Sequence, residues 1–158
     1  MVILIGIVFA NYRVNSSQLA LQRSAYRLLG DIRKAQGMAG IDAGCSGVYN
    51  YGYGLNINTF STQQYRLFAD CNSDKQWSGT LETKETVTLE SGVKICSLKI
   101  GTSNQSVVNL VFLPPDPFTL INLVKDSTND LQITLCLESD ASQDKVITIN
   151  RVGMISIQ

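Results

Sequence analysis

The residues in this chain best suited to chemistry are oxygen donors. Asp70-Cys-Asn72-Ser-Asp74 sets a carboxylate, an amide and a second carboxylate at alternate positions, with Glu82 further along. Calcium takes six to eight oxygen ligands, and alternate positions of a tight loop can converge on one ion. The spacing fits positions one, three and five of a calcium loop. Lys75, however, stands where such loops carry glycine, and Glu82 falls one residue beyond the place of their bidentate glutamate. The competing reading is a polar turn in which Asp and Asn side chains cap backbone groups. Asp70, Asn72, Asp74 and Glu82 are therefore candidate calcium ligands, and no other cofactor is expected.

Other chemistry is sparsely provided for. The chain has no histidine, so the commonest general base and metal ligand is missing, and no Ser-His-Asp set can form. No GxSxG, phosphate loop or GxGxxG occurs, and an enzyme is not expected. Glu82, Glu85 and Glu90 read otherwise as surface charges on or beside an edge strand. Tyr49, Tyr51, Tyr53, Tyr65 and Trp77 read as strand-packing aromatics before they read as a ligand surface. The four cysteines, Cys45, Cys71, Cys96 and Cys136, include no CxxC pair, which argues against zinc. They allow two disulfides in three connectivities, or buried or surface thiols.

The elements that must position these residues fall into two parts. Met1 to Ala10 is an unbroken apolar run that includes Val2, Ile3, Leu4, Ile5, Ile7, Val8 and Phe9. As helix it covers about 15 Å, too short to span a bilayer, and it reads as the end of a longer apolar helix. From Asn11 the apolar residues Val14, Leu21, Ala25, Leu28, Ile32, Ala35 and Ala39 recur mostly at intervals of three and four, the stripe of an amphipathic helix. Gly37, Gly40 and Gly44 are expected to end it.

Beyond residue 46 the pattern becomes short alternating or β-branched segments between Gly, Asn, Asp and Ser clusters. Strands are expected at 48–57, 63–69, 86–90, 93–100, 107–113, 131–138, 145–150 and 152–157, with a rigid loop at Pro114-Pro115-Asp116-Pro117. The predicted class is α+β: a helical stalk over 1–40 packed on a globular antiparallel β domain over 41–158. Leu131, Ile133, Leu135 and Leu137 alternate with Cys136, and Val93 and Ile95 with Cys96, so Cys96 and Cys136 are expected on one outer layer. Cys45 and Cys71 flank a hairpin. Cys45–Cys71 with Cys96–Cys136 is thus the favoured pairing.

The order of these parts resembles the type IV pilin superfamily. An apolar helix end, Asn11-Tyr12, a basic amphipathic continuation and a glycine-rich exit into antiparallel strands follow one another as they do there. Within it, Tyr26-Arg-Leu-Leu-Gly-Asp-Ile-Arg-Lys-Ala-Gln-Gly-Met-Ala39 resembles the corresponding run of H-type pseudopilins and related minor pilins. Further matches are Tyr53-Gly-Leu55, Tyr65-Arg-Leu-Phe-Ala-Asp70, Leu89-Glu-Ser-Gly-Val-Lys-Ile95, Val111-Phe-Leu-Pro-Pro115 and Ile147-Thr-Ile-Asn-Arg-Val-Gly-Met-Ile155. The family's Phe-Thr-Leu-Ile-Glu-like opening is absent, and about a dozen mature residues plus a leader are expected upstream.

The resemblance implies a structural and assembly subunit of a type IV pilus or type II secretion filament. Its partners would be other pilin or pseudopilin subunits, met through the N-terminal helix at Val2 to Phe9, and the inner membrane before assembly. Its place would be the cell envelope, as a single-pass inner-membrane protein with an extracytoplasmic β domain, or a surface filament. The alternatives are a DNA-uptake minor pilin and a soluble extracytoplasmic ligand-binding β domain. Residues 1–40 carry five cations against one acid, a net of +4, and the remainder is net −4. The basic helix suits acidic neighbours or a solvated face. Nucleic-acid binding is disfavoured because the β domain has no clustered Lys and Arg.

Overall fold

The computed structural model describes residues 2–39, 45, 51–113, 118–123 and 129–158, with the side chains of 2–15 and 118 left out. Helix α1 runs without a break from Val2 to Ala39, 38 residues or about 57 Å. Its apolar stripe is the reason it holds to the protein. Leu21, Ala25, Leu28, Ile32, Ala35 and Ala39 are all buried, the middle four completely. Three of the six are alanines, which lets the helix backbone approach the strands closely. Gly37 does not end the helix. It is exposed and helical, and its cost of about 1 kcal/mol relative to alanine is outweighed by carrying Ala39 into the core. Gly40 and Gly44 lie outside the described residues, as do Tyr49, Pro114-Pro115-Asp116-Pro117 and the start of the segment expected at 48–57.

Among the described residues ten strands follow: β1 Gly52–Asn58, β2 Gln64–Asp70, β3 Thr83–Thr88, β4 Val93–Ile100, β5 Ser103–Gln105, β6 Val107–Leu113, β7 Phe118–Ile121, β8 Leu131–Leu137, β9 Asp144–Ile149 and β10 Ile155–Ile157. They form two antiparallel five-stranded sheets, ordered β3-β2-β1-β6-β7 and β10-β9-β8-β4-β5. The class is therefore α+β, with one helix and two sheets sharing a core. The helix touches β1 and β6 of the first sheet and β4, β8, β9 and β10 of the second. Ile95 N of the second sheet donates to Thr62 O of the β1–β2 connection at 2.7 Å, and Leu89 N donates to Gln63 O at 2.8 Å, extending the β2–β3 pairing of the first sheet by one rung.

Several boundaries differ from the expected ones. The strand placed at 86–90 starts at Thr83, because its backbone pairs with β2 through Phe68. The strand placed at 152–157 shrinks to Ile155–Ile157. Asn150 Oδ1 accepts from Val152 N and Met154 N, and this side-chain turn occupies the residues before it. Strands β5 and β7 were not expected, being three and four residues long.

Strand β1, Gly-Tyr-Gly-Leu-Asn-Ile-Asn, is buried at every position, unlike a strand with one wet face. Gly54 is required there by contact, since a Cβ would sit 2.3 Å from Leu110 O in β6. Its outer side is covered too. Phe68, Val111 and Leu120 form a second apolar cluster on the face of the first sheet away from the helix, with Trp77 and Leu113 packed against it. Trp77 belongs to the β2–β3 connection, which thus folds back over its own sheet.

Both disulfides are present: Cys45–Cys71, with Cα atoms 5.6 Å apart, and Cys96–Cys136, with Cα atoms 5.9 Å apart. Cys96 is the extra residue of a bulge, since Ile95 pairs with Leu135 and Ser97 already pairs with Thr134. The bulge lets Ile95 and Leu98 both face the core while Cys96 reaches Cys136 across the neighbouring strand.

Candidate functional site

The β2–β3 connection, residues 71–82, brings the predicted oxygen donors together. Asp70 is the last residue of β2 and Glu82 the last before β3, and both are buried, at 0% and 4% exposure. Glu82 is therefore not the surface charge that its composition suggested. Its main-chain O accepts from Ala69 N at 3.0 Å, which draws the two ends of the loop side by side.

Among the described residues, one group of side chains has a metal-holding arrangement. Asp70, Asp74 and Glu82 each offer a carboxylate oxygen, and the three atoms lie within 4.8 Å of one another. Asn72 adjoins them, its Nδ2 donating to Asp74 Oδ2 at 3.0 Å and its Oδ1 accepting from Asp74 N at 3.0 Å. Lys75 N donates to Asp70 Oδ2 at 3.1 Å, and Gln76 N to Asp74 Oδ1 at 2.9 Å. Glu82 accepts from Cys71 N at Oε1, 3.2 Å, and from Ser78 N at Oε2, 2.8 Å. Ser78 Oγ also donates to Asp74 Oδ2.

Two backbone positions make this convergence possible. Ser73 and Lys75 adopt positive φ, 66° and 59°, the left-handed region that favours glycine. Lys75 thus takes up the conformation for which a calcium loop uses glycine at that place, despite its side chain. The departure noted in the sequence is one of residue type and not of backbone shape.

The electrostatics follow from burial. Burial pushes the Asp70 carboxyl above its ordinary range, opposed chiefly by the Lys75 backbone donor. For Asp74 burial also pushes upward, but Ser78, Gln76 and Asn72 together hold it below the ordinary value. One oxygen is left over. Asp70 Oδ1 is buried and has no hydrogen-bond partner among the described residues.

The loop is fastened at several further points. Cys71 is bonded to Cys45. Trp77 Nε1 donates to Thr83 Oγ1 at 2.8 Å, its N donates to Asn109 Oδ1 at 3.3 Å, and Arg66 lies over its ring at 4.7 Å from the centroid. A cleft of about 390 Å³, lined by Cys71, Asn72, Ser78, Gly79, Thr80, Leu81 and Glu82, opens beside the carboxylates.

The other candidates separate. Tyr53 and Tyr65 are core residues, Tyr51 is 46% exposed, and Trp77 sits on the opposite face of the sheet, so no aromatic ligand surface forms among the described residues. Glu85 pairs with Lys34 of the helix at 2.9 Å, and Glu90 lies 4.0 Å from Arg23. The basic helix therefore meets acids of its own chain. Both pairs are exposed, and such pairs contribute about 0 to 1 kcal/mol. Ser78 was not expected in the site, and nothing in the linear pattern sets it apart from the other serines.

The apolar start of α1, Val2 to Phe9, is helical in backbone, and its side chains lie outside the described residues. Among the described side chains, core contact along the helix begins at Ala20 and Leu21, and Leu19 is 45% exposed. Among the described residues no helix is long and apolar enough to cross a membrane. No protein-family model, curated protein or solved structure matches the chain.

Proposed function

We propose that the chain is a structural and assembly subunit of a type IV pilus or type II secretion filament, of the minor pilin or H-type pseudopilin kind, with a pilin-like fold. One observation carries the reading. A single continuous helix of 38 residues is bound into the β core by its second half, Leu21–Ala39, while its opening nine residues, Val2–Ala10, are apolar. A run of that composition invites association when exposed to water. Helices of other subunits in a filament, or the inner membrane before assembly, would both cover it. The β domain would then lie on the extracytoplasmic side, where disulfides such as Cys45–Cys71 and Cys96–Cys136 persist.

The test is filament incorporation in a cell that makes the assembly machinery. The chain is expected in the sheared filament fraction, and Ile5→Asp with Ile7→Asp is expected to exclude it while the β domain stays folded and disulfide-bonded. Equal recovery of both forms outside the filament and membrane fractions would overturn the reading.

A further inference from the structure

The β2–β3 loop carries a feature that filament assembly does not account for. Three carboxylates, Asp70, Asp74 and Glu82, present oxygens within 4.8 Å of one another, and two of the three residues are buried. Like charges at such a separation repel strongly where water is excluded. The N–H donors of Cys71, Lys75, Gln76 and Ser78 offset part of this. They do not reach everything. Asp70 is 0% exposed, yet its Oδ1 has no partner among the described residues, and an orphaned buried carboxylate oxygen is costly. That atom is the second, independent observation: a buried acceptor without a hydrogen bond among the described residues, at the first position of the acidic loop, although the Ser73 and Asn72 N–H groups also favour the charged form of this carboxyl and the net effect of burial is still to push it upward.

We propose that the loop binds a hard divalent cation of calcium's class. Asp70, Asp74 and Glu82 supply charged oxygens and Asn72 a neutral one, and the ion fastens residues 71–82 over the outer face of the first sheet. The donor chemistry selects the ion. All available ligands are oxygens, the chain has no histidine, and Cys71 is in a disulfide, so a zinc set is not formed. An irregular cluster at the ends of two strands, with an open cleft beside it for water, suits calcium's flexible coordination over the strict octahedron of magnesium. Main-chain carbonyls and water would complete the six to eight oxygens. The affinity expected is that of an extracellular module, with a dissociation constant on the order of 10⁻⁴ to 10⁻³ M.

The consequence lies in Trp77, the chain's one tryptophan, which packs on Phe68, Val111 and Leu120. It lies three positions after Asp74 and five before Glu82, so the ion would hold the segment that carries that ring from both sides. This proposal is independent of the filament reading.

The test uses the disulfide-bonded chain and terbium as a luminescent stand-in for calcium. Excitation of Trp77 is expected to sensitise terbium emission that calcium displaces in the millimolar range, and calcium alone is expected to raise the melting temperature. Asp74→Asn, at a half-buried position, and Glu82→Gln are each expected to weaken calcium binding at least tenfold with far-ultraviolet circular dichroism unchanged. No calcium-displaceable emission and no calcium-dependent thermal shift would overturn the proposal. So would calcium binding of wild-type strength in both variants.

Discussion

The hydroxyl of Tyr65, in β2 of the first sheet, donates to Asp31 Oδ2 of the helix at 2.5 Å. Tyr65 is fully buried and Asp31 is half-buried, so this bond ties the helix to β2 where water has little access. Tyr65→Phe should cost about 1.5 to 3 kcal/mol, the range for a bond to a charged group, as measured by urea denaturation at pH 7. The pH dependence has a definite sign. Burial first, and then the bond to Asp31, raise the Tyr65 pKa above its ordinary 10.0, so the folded state keeps the proton longer than the unfolded chain does. This contribution is fully present below about pH 10 and declines as pH rises further. The difference between wild type and Tyr65→Phe should therefore narrow above pH 10.

Leu28 and Leu19 lie on the same helix and differ in burial, at 0% and 45% exposure. Leu28→Ala should destabilise by about 2 to 5 kcal/mol through lost transfer energy and a cavity between helix and sheets. Leu19→Ala should stay within about 0.5 kcal/mol. Equal effects in a thermal melt would mean that the helix does not hold the core as described.

Gly54→Ala should be among the most damaging single-methyl additions in the chain. The new Cβ would meet the Leu110 carbonyl oxygen at 2.3 Å, a backbone atom that can move only if β1 and β6 part. A loss of about 3 kcal/mol is expected, read as a lowered urea midpoint.

Removing the Cys45–Cys71 bridge by paired serine substitution opens a closure of sequence separation 26. Chain-entropy arguments give a loss of about 3 to 4 kcal/mol, or roughly 10 °C in melting temperature for a chain of this length. Because Cys71 begins the loop that carries Trp77, the emission of that tryptophan should also shift to the red. Removing Cys96–Cys136, which joins strands already paired, should leave the emission unchanged.

Much of this architecture was legible in the sequence because it rests on periodicity. The stripe from Leu21 to Ala39 is written in intervals of three and four, and each of its members is buried. Leu131 to Leu137 alternates and faces the core just as an alternating strand should. What escaped were features set by contacts between distant residues. The division into two sheets cannot be read from alternation, which reports one buried face without saying which other sheet it meets.

A signal did exist for the covered outer face of the first sheet. Leu67-Phe68-Ala69 and Leu110-Val111-Phe112 are contiguous apolar triplets, the mark of strands buried on both sides. At the acidic loop the donor residues were readable from their spacing. The burial of Glu82 was not, because it depends on the loop folding back through Trp77 onto Phe68. Likewise the left-handed backbone at Lys75 contradicts the residue's own preference, and only the bond from its N–H to Asp70 explains why it is held.

The joint between helix and β domain also has a mechanical meaning. The stripe from Leu21 to Ala39 lies along both sheets, with Ser24 Oγ accepting from Glu90 N at 3.1 Å and Gln36 Nε2 donating to Gly153 O at 2.6 Å as lateral pins. A pull along the helix axis would load these contacts in shear and all at once, whereas peeling from one end would break them one turn at a time. The domain is thus hung from its helix as a lap joint is, strongest against a pull along the helix axis and weakest against peeling from one end.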